Sequence, residues 1–233
     1  MLELVADSIW ADEQPLKYFG LDIRTRMTIV RLRNGELVVI SPIRLNKQSI
    51  SQLKEIGEVR YVIAPNLYHY LFAAEFKETY PNCEFWAVPG LKEKEPNLLI
   101  DRTIGESDFP FQGEIQYAFL DGFKTLVPFK AESLNECALF HAATRTLIIT
   151  DAAFNFDKTF PLSIRLVARI GGAYDMFGPS MLEKLAINEK EKMSASVRNV
   201  LKWDFERIVM AHGRIIENNG REAFSKAYEF VLR

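Results

Sequence analysis

Two histidines and one aspartate, the residue types that most readily bind metal ions, follow apolar, strand-like runs of this sequence. Each of His69, Asp151 and His212 comes at or shortly after the end of such a run. Open α/β sheets bind ligands outside the carboxyl ends of their strands, so these three side chains are expected to converge. Imidazole and carboxylate groups bind Zn²⁺ or Fe²⁺, and the pattern therefore predicts one metal site. Taken singly, each residue has a structural alternative: a hydrogen-bonded histidine, or an aspartate that forms a turn or caps a helix.

Two further polar residues belong to the same predicted neighbourhood. Glu136 opens the strand that is expected to pair with the one ending at Asp151. It is a candidate fourth ligand or catalytic general base, and the alternative is a solvated carboxylate at the start of a strand. Asn66 lies three residues before His69. It either caps the following helix or hydrogen-bonds the histidine and fixes its tautomer, and capping is the preferred interpretation.

The remaining candidate groups favour structural roles. His141 lies in a predicted turn that faces Arg145, which favours a hydrogen-bonded structural histidine. Cys83 and Cys137 lie in apolar runs and lack metal-type spacing, so two buried, reduced thiols are predicted. The sequence has no Gly-rich phosphate loop, no G-x-S-x-G and no H-E-x-x-H. These absences argue against phosphate-loop, serine-hydrolase and metalloprotease-helix chemistry.

Composition limits the partners that are expected. The chain has 233 residues, 48% hydrophobic and 26% charged, with a formal net charge of -2. Such a balance gives no strong overall field for nucleic acid or for an anionic membrane, so neither is an expected partner. No apolar run reaches the ~20 residues that span a bilayer, and the first ten residues make a poor signal peptide. We expect a cytoplasmic protein of undetermined oligomeric state, acting on or binding an unidentified small molecule.

The order of apolar patterns predicts a layered α/β architecture, with residues 1–233 as one domain. Asn34-Gly35 between two β-rich runs is a strong hairpin signal. Residues 91–106 are predicted to form a surface loop. The predicted strands are residues 27–32, 36–41, 59–64, 84–88, 115–120, 125–129, 136–141, 146–150 and 207–211. The predicted helices are residues 47–55, 68–79, 189–203 and 220–232.

Several segments, in this order and spacing, resemble the metallo-β-lactamase-fold superfamily, and more closely a reduced family of that fold with a degenerate metal-binding motif. VRYVIAPNLYHYLF falls where active members carry H-x-H-x-D-H, RTLIITDAAFN resembles the strand that ends in the bridging aspartate, and VMAHGRIIENNG resembles the segment of the final histidine. The resemblance covers almost the whole chain. It implies a four-layer αββα sandwich of two mixed β-sheets with outer helices.

The same resemblance implies a reduced metal site. Active relatives use five histidines and two aspartates for two metals. Here Ala64, Asn66 and Tyr68 occupy ligand positions of the motif, and no histidine lies near Asn135-Glu136. The first metal site therefore looks lost. The second keeps His69, Asp151 and His212, without the aspartate of the motif.

Two functions from different classes remain open. The first is a mononuclear Zn²⁺- or Fe²⁺-dependent hydrolase of unknown substrate, with Glu136 as fourth ligand or general base. The second is a non-catalytic pseudoenzyme that binds a ligand or a protein, because apolar and aromatic residues fill the motif segment. Farther along the chain, an apolar helical face could belong to the core or to a dimer surface, and core is the preferred interpretation. That face consists of Ile164, Leu166, Val167 and Ile170.

Overall fold

The computed structural model describes residues 1–111, 113–127, 130–187 and 189–233. The strands are Glu3–Ala6 (β1), Ile9–Gln14 (β2), Lys17–Tyr18 (β3), Leu21–Asp22 (β4), Thr25–Arg31 (β5), Glu36–Ile40 (β6), Glu58–Ala64 (β7), Glu84–Ala87 (β8), Arg102–Thr103 (β9), Ile115–Phe119 (β10), Lys124–Val127 (β11), Lys130–Ser133 (β12), Cys137–His141 (β13), Thr146–Ile148 (β14) and Arg207–Val209 (β15). The helices are Lys47–Ile56 (α1), Ala73–Thr79 (α2), Leu91–Lys94 (α3), Leu162–Ile170 (α4), Met181–Ala186 (α5), Lys190–Val200 (α6), Gly220–Ala227 (α7) and Glu229–Leu232 (α8). None of these helices is long and apolar enough to cross a membrane.

The chain divides into two compact units. Met1–Gln14 and Thr25–Glu114 form the N-terminal unit, and Pro15–Arg24 and Ile115–Arg233 form the C-terminal unit. The assignment of all 233 residues to one domain stays a prediction. The predicted strand over residues 125–129 is observed as β11, and its last two positions lie outside the described residues.

A seven-stranded mixed sheet forms the N-terminal unit, in the order β1-β2-β5-β6-β7-β8-β9. The predicted hairpin is confirmed: β5 and β6 pair antiparallel around a turn in which Gly35 has a φ of 88°. From β6 to β9 the strands run parallel, which places their carboxyl ends at one edge. Buried residues such as Leu37, Leu53 and Phe76 fill the core between this sheet and its helices.

The N-terminal helix α1 forms where its sequence supplies a cap. The Asn46 side chain accepts the Ser49 N–H, and the Ser49 hydroxyl oxygen accepts the Asn46 N–H. This capping box satisfies two backbone donors that a helix start otherwise leaves without partners. Gly57 ends the helix. A Cβ at that position would lie 2.4 Å from the Gly35 carbonyl oxygen, so the close approach of the two loops requires glycine.

The C-terminal unit contains a four-stranded sheet in the order β10-β13-β14-β15, two short hairpins (β3-β4 and β11-β12), and helices α4–α8. Strands β14 and β15 pair in parallel, with Ile148 opposite Val209. Asp151 and His212 each follow three residues after those paired positions. The register therefore brings both side chains to the same strand-end edge, as the sequence predicts.

Several element predictions differ from the structure. The single helix predicted over residues 220–232 is observed as two helices, α7 and α8, separated at Tyr228. Helix α2 begins at Ala73 rather than near residue 68. Residues 67–72 instead form turns, in which the Asn66 side chain accepts hydrogen bonds from two backbone N–H groups. The predicted loop over residues 91–106 contains α3 and β9. Placing the apolar face of α4 in the core is wrong for three of its four residues: Ile164 is buried, whereas the others are exposed, namely Leu166, Val167 and Ile170.

Candidate metal centre

Asp151 and His212 form a close pair within the C-terminal unit. The Nε2 atom of His212 lies 3.2 Å from the Oδ1 atom of Asp151. The imidazole is almost fully buried, with 3% of its side chain exposed, whereas 19% of the Asp151 side chain is exposed. The pair can thus be reached by solvent from the carboxylate side.

A backbone carbonyl determines which nitrogen of His212 faces the aspartate. The Nδ1 atom lies 2.6 Å from the carbonyl oxygen of Arg24, and a carbonyl can only accept a hydrogen bond. Nδ1 therefore carries a proton, and in the neutral ring Nε2 carries a lone pair. That lone pair faces a carboxylate oxygen, and two acceptors are compatible at 3.2 Å only when a proton or a metal cation lies between them.

The turn after His212 is fixed by a contact that only glycine permits. Gly213 has a φ of 118°, and a Cβ there would lie 2.6 Å from the backbone nitrogen and oxygen of Asn155. The Asn155 side-chain amide donates to the Arg214 carbonyl at 2.9 Å. Segments on both sides of the pair are therefore linked, which holds the imidazole against the end of the sheet.

Glu136 is fully buried and supports the strand end that carries Asp151. Its carboxylate accepts the Thr150 N–H at 2.5 Å, the Thr150 hydroxyl at 2.7 Å and the Asp151 N–H at 3.4 Å. Burial raises the pKa of the neighbouring Cys137 thiol well above its usual range, and the negative charge of Glu136 adds to this effect. These contacts favour a positioning role for Glu136. Its assignment as a general base or fourth ligand stays a prediction.

The β3-β4 hairpin carries a tyrosine whose pKa responds to the charge of Asp151. Burial raises the pKa of Tyr18, and the negative charges of Asp151 and Glu183 raise it further. The hairpin turn places Phe19 at a φ of 46° and Gly20 at 79°. Sequence reasoning missed Tyr18, although the glycine of the Phe19-Gly20 turn that follows β3 is a detectable turn signal. It also missed the Arg24 carbonyl, because every residue has a backbone carbonyl and the residue type does not indicate which one accepts a side-chain hydrogen bond.

His69 is held in the N-terminal unit by two polar neighbours. The Asn66 Oδ1 atom accepts the N–H groups of Tyr68 and His69, each at 2.8 Å, and so stabilises a turn. The preferred interpretation of Asn66 as a helix cap is wrong, because α2 begins only at Ala73. The Nδ1 atom of His69 lies 2.7 Å from the Ser41 hydroxyl oxygen. Ser41 directly follows β6 and His69 follows β7, and these two strands run parallel. When Nδ1 donates to Ser41, Nε2 carries the lone pair that a metal ligand requires.

The third histidine has a structural environment. His141 ends β13 and is buried, and its Nδ1 atom lies 2.8 Å from the Thr144 hydroxyl oxygen in the following turn. Thr144 in turn donates to the Thr146 hydroxyl. This short network agrees with the structural role predicted for His141.

Comparisons with known proteins identify the fold. Residues 6–169 match the family model described as "Domain of unknown function (DUF4336)". No curated protein matches the sequence. Among solved structures, a metallo-β-lactamase from Pontibacter korlensis has a TM-score of 0.66 at 11% identity, covering 99% of this chain and 98% of that one. The metallo-β-lactamase DIM-1 has a TM-score of 0.66 at 11% identity, covering 99% and 97%. A metallo-β-lactamase from Hirschia baltica has a TM-score of 0.59 at 14% identity, covering 100% and 97%.

These similarities confirm the predicted fold class. The chain has the α/β fold of the metallo-β-lactamases, with mixed sheets and helices, over nearly its full length. At 11–14% identity the likeness shows the fold alone. Any inference about chemistry must therefore rest on the residues of the site.

Proposed function

We propose a metal-dependent hydrolytic function for this chain, which belongs to the family defined by the domain of unknown function DUF4336. In this proposal His69, Asp151 and His212 together hold one divalent ion, Zn²⁺ or Fe²⁺. Each of the three would offer one ligand atom, and together they would make up a His/Asp/His group able to hold a metal. Two imidazoles and one carboxylate are a recurrent ligand set for Zn²⁺ and for non-haem Fe²⁺.

The observation that carries the proposal is the His212–Asp151 contact. With the Nδ1 proton committed to the Arg24 carbonyl, the neutral ring directs its lone pair at the carboxylate across 3.2 Å. A bound cation satisfies both acceptors. An imidazolium would also do so, and the experiment below separates the two.

A bound divalent ion would supply Lewis-acid activation of water and of a carbonyl or phosphoryl oxygen. The residues of the chain prepare that site. Ser41 and the Arg24 carbonyl orient the two imidazoles through the nitrogens that are not offered as ligands. Glu136 holds the backbone at Asp151, and the phenol of Tyr18 lies in the field of the Asp151 carboxylate.

A second candidate function, a non-catalytic binding module, is favoured by the segment that replaces the usual metal motif. Its aromatic side chains are already engaged: the Lys94 ammonium lies 3.7 Å from the centre of the Tyr68 ring, and the Tyr70 hydroxyl donates to Glu95. Burial and the Glu95 hydrogen bond raise the pKa of Tyr70 to about 12. Tyr70 is therefore neutral at physiological pH and does not replace the missing aspartate as an anionic ligand.

Zinc titration against a chromophoric chelator, followed by hydrolysis assays, separates the two functions. We expect stoichiometric Zn²⁺ binding by the wild type, strong weakening in Asp151→Asn, and Zn²⁺-dependent hydrolysis of p-nitrophenyl acetate or bis(p-nitrophenyl) phosphate. Zinc binding without hydrolysis of an ester, a lactone or a phosphodiester would favour the binding module. Equal behaviour of wild type and Asp151→Asn in the titration would contradict the metal site itself and leave the imidazolium pair.

A further inference from the structure

Helix α4 exposes an apolar face to solvent. Leu162, Leu166 and Ile170 recur every four residues along the helix, and their exposed fractions are 70%, 58% and 72%. Val167 beside them is 49% exposed. Residues spaced by four lie on one side of a helix, so these side chains form a continuous stripe.

The opposite face of α4 is buried in a hydrophobic cluster of the C-terminal unit. Ile164 and Ala168 are buried in a cluster with Phe156, Phe160 and Ala173, against which Leu21 of the β3-β4 hairpin packs. The helix therefore has one apolar surface in the core and a second, exposed one, in addition to Arg165 and Arg169. The exposed apolar surface has no partner within the described part of the chain.

Helix α5, which begins close to the end of α4, also exposes apolar side chains. The Met181 N–H donates to the Gly171 carbonyl at 2.8 Å, so α5 starts where α4 ends. Leu182 and Leu185 on α5 are 55% and 73% exposed. We call the six residues Leu162, Leu166, Val167, Ile170, Leu182 and Leu185 the α4–α5 face. Apolar patches of this kind mark a site of contact with a protein or a membrane.

Charge distinguishes between those two partners. Residues 158–185, which span the face, contain four basic residues and two acidic ones, Asp175 and Glu183, a local net charge of +2, whereas the whole chain has a net charge of -2. Lys158 and Arg169 are exposed. A symmetric contact with a second copy would place the same net positive charge on both sides of the interface, which is unfavourable. An anionic, apolar surface complements both the charge and the stripe.

We propose that the α4–α5 face binds the surface of an anionic lipid bilayer. The leucine and isoleucine side chains would enter the boundary between headgroups and acyl chains, while Lys158 and Arg169 contact the lipid phosphates. This inference is independent of the metal site. It departs from the expectation of no membrane partner, which rested on the net charge of the whole chain.

Vesicle flotation tests the proposal. The full chain is mixed with vesicles of phosphatidylcholine and phosphatidylglycerol in a three-to-one ratio, or with pure phosphatidylcholine vesicles. We expect binding to the anionic vesicles, weaker binding to the neutral ones, and release as ionic strength rises. The double substitution Leu166→Gln/Ile170→Gln should weaken binding about tenfold or more, because two apolar side chains no longer leave water. Lys158→Gln/Arg169→Gln should reduce binding to the anionic vesicles alone.

A matched control uses exposed leucines from the N-terminal unit. Leu71 and Leu99 are 57% and 73% exposed, so Leu71→Gln/Leu99→Gln makes the same chemical change away from the α4–α5 face. This variant should bind vesicles like the wild type. The proposal would be overturned if the wild type did not float with the vesicles. It would also be overturned if Leu71→Gln/Leu99→Gln lost as much vesicle binding as Leu166→Gln/Ile170→Gln. A concentration-dependent dimer that Leu166→Gln/Ile170→Gln abolishes, without vesicle binding by the wild type, would also overturn it and assign the face to a second copy.

Discussion

At the scale of single residues, the two candidate histidine ligands are oriented through the nitrogen that each does not offer. The Arg24 carbonyl accepts from Nδ1 of His212, and the Ser41 hydroxyl contacts Nδ1 of His69. Partners of this kind fix tautomer and ring angle, and their removal commonly weakens metal binding. The candidate site therefore includes the Arg24 carbonyl and the Ser41 hydroxyl in addition to its three predicted ligands.

Glu136→Gln tests whether the buried carboxylate supports the site. The amide retains one oxygen where the carboxylate offers two to Thr150 and Asp151, so at least one backbone or hydroxyl donor loses its acceptor. We expect the free energy of unfolding in urea to fall by about 1–3 kcal/mol. Zinc affinity should fall as well, by about 10–100-fold, as is typical when an outer-shell partner of a metal site is changed.

The matched control for this prediction is Glu222→Gln, an exposed carboxylate in the first turn of α7. It should change the free energy of unfolding by no more than about 0.5 kcal/mol. If Glu136→Gln kept wild-type stability and zinc affinity while hydrolysis alone was lost, the general-base assignment would be supported over the positioning role.

At the scale of elements, the turn before α4 is held by an ionised aspartate. Burial acts to raise the pKa of Asp157, but hydrogen bonds from the Thr159 hydroxyl and N–H, with the positive charges of Arg214 and Arg24, outweigh burial and lower it. A carboxyl with a lower pKa in the folded state stabilises the fold above its unfolded pKa of about 4. That contribution is lost as pH falls through the folded pKa.

Asp157→Asn should therefore lower the melting temperature at neutral pH and reduce the further loss of stability below about pH 4. Thermal unfolding of both proteins from pH 7 down to pH 2 measures the difference. Asp7→Asn is the control, because Asp7 is exposed in the turn after β1. Parallel curves for wild type and Asp157→Asn across the acid range would contradict the assigned role of this carboxylate.

The sequence predicted structural elements best where the hydrophobic pattern and the strand register alone determine the structure. Asn34-Gly35 identified its hairpin, and the strand runs before Asp151 and His212 predicted that the two residues meet. The helix start near residue 68 was wrong, since the Asn66 side chain stabilises a turn that hydrophobic periodicity does not register. Periodicity also could not place the α4 stripe, because an apolar face looks the same whether its partner is the core or lies outside the chain.

At the scale of the whole molecule, each compact unit contains one cysteine. Cys83 lies in the N-terminal unit and Cys137 in the C-terminal unit, and both are free and buried, as the sequence predicts. Burial raises the pKa of each thiol, so alkylation at neutral pH reports opening of the surrounding structure. The two thiols are therefore separate probes of the two units.

If one ion is held by His69 together with Asp151 and His212, its binding should protect both units. Zinc at a hundred times its dissociation constant should slow alkylation of Cys83 and of Cys137 by up to about 100-fold, as peptide mass spectrometry can quantify. Neither thiol should be protected in His212→Ala. Protection of Cys137 alone would show that His69 is not a ligand, and would restrict the site to the C-terminal pair.

Elemental mass spectrometry of protein purified from metal-supplemented medium tests the central claim most directly. We predict about one Zn²⁺ or Fe²⁺ ion per chain in the wild type and in His141→Gln, which changes the histidine outside the predicted site, and almost none in His69→Ala or His212→Ala. A wild type without metal, or an ion that survives the loss of His212, would contradict the metal centre proposed for this fold.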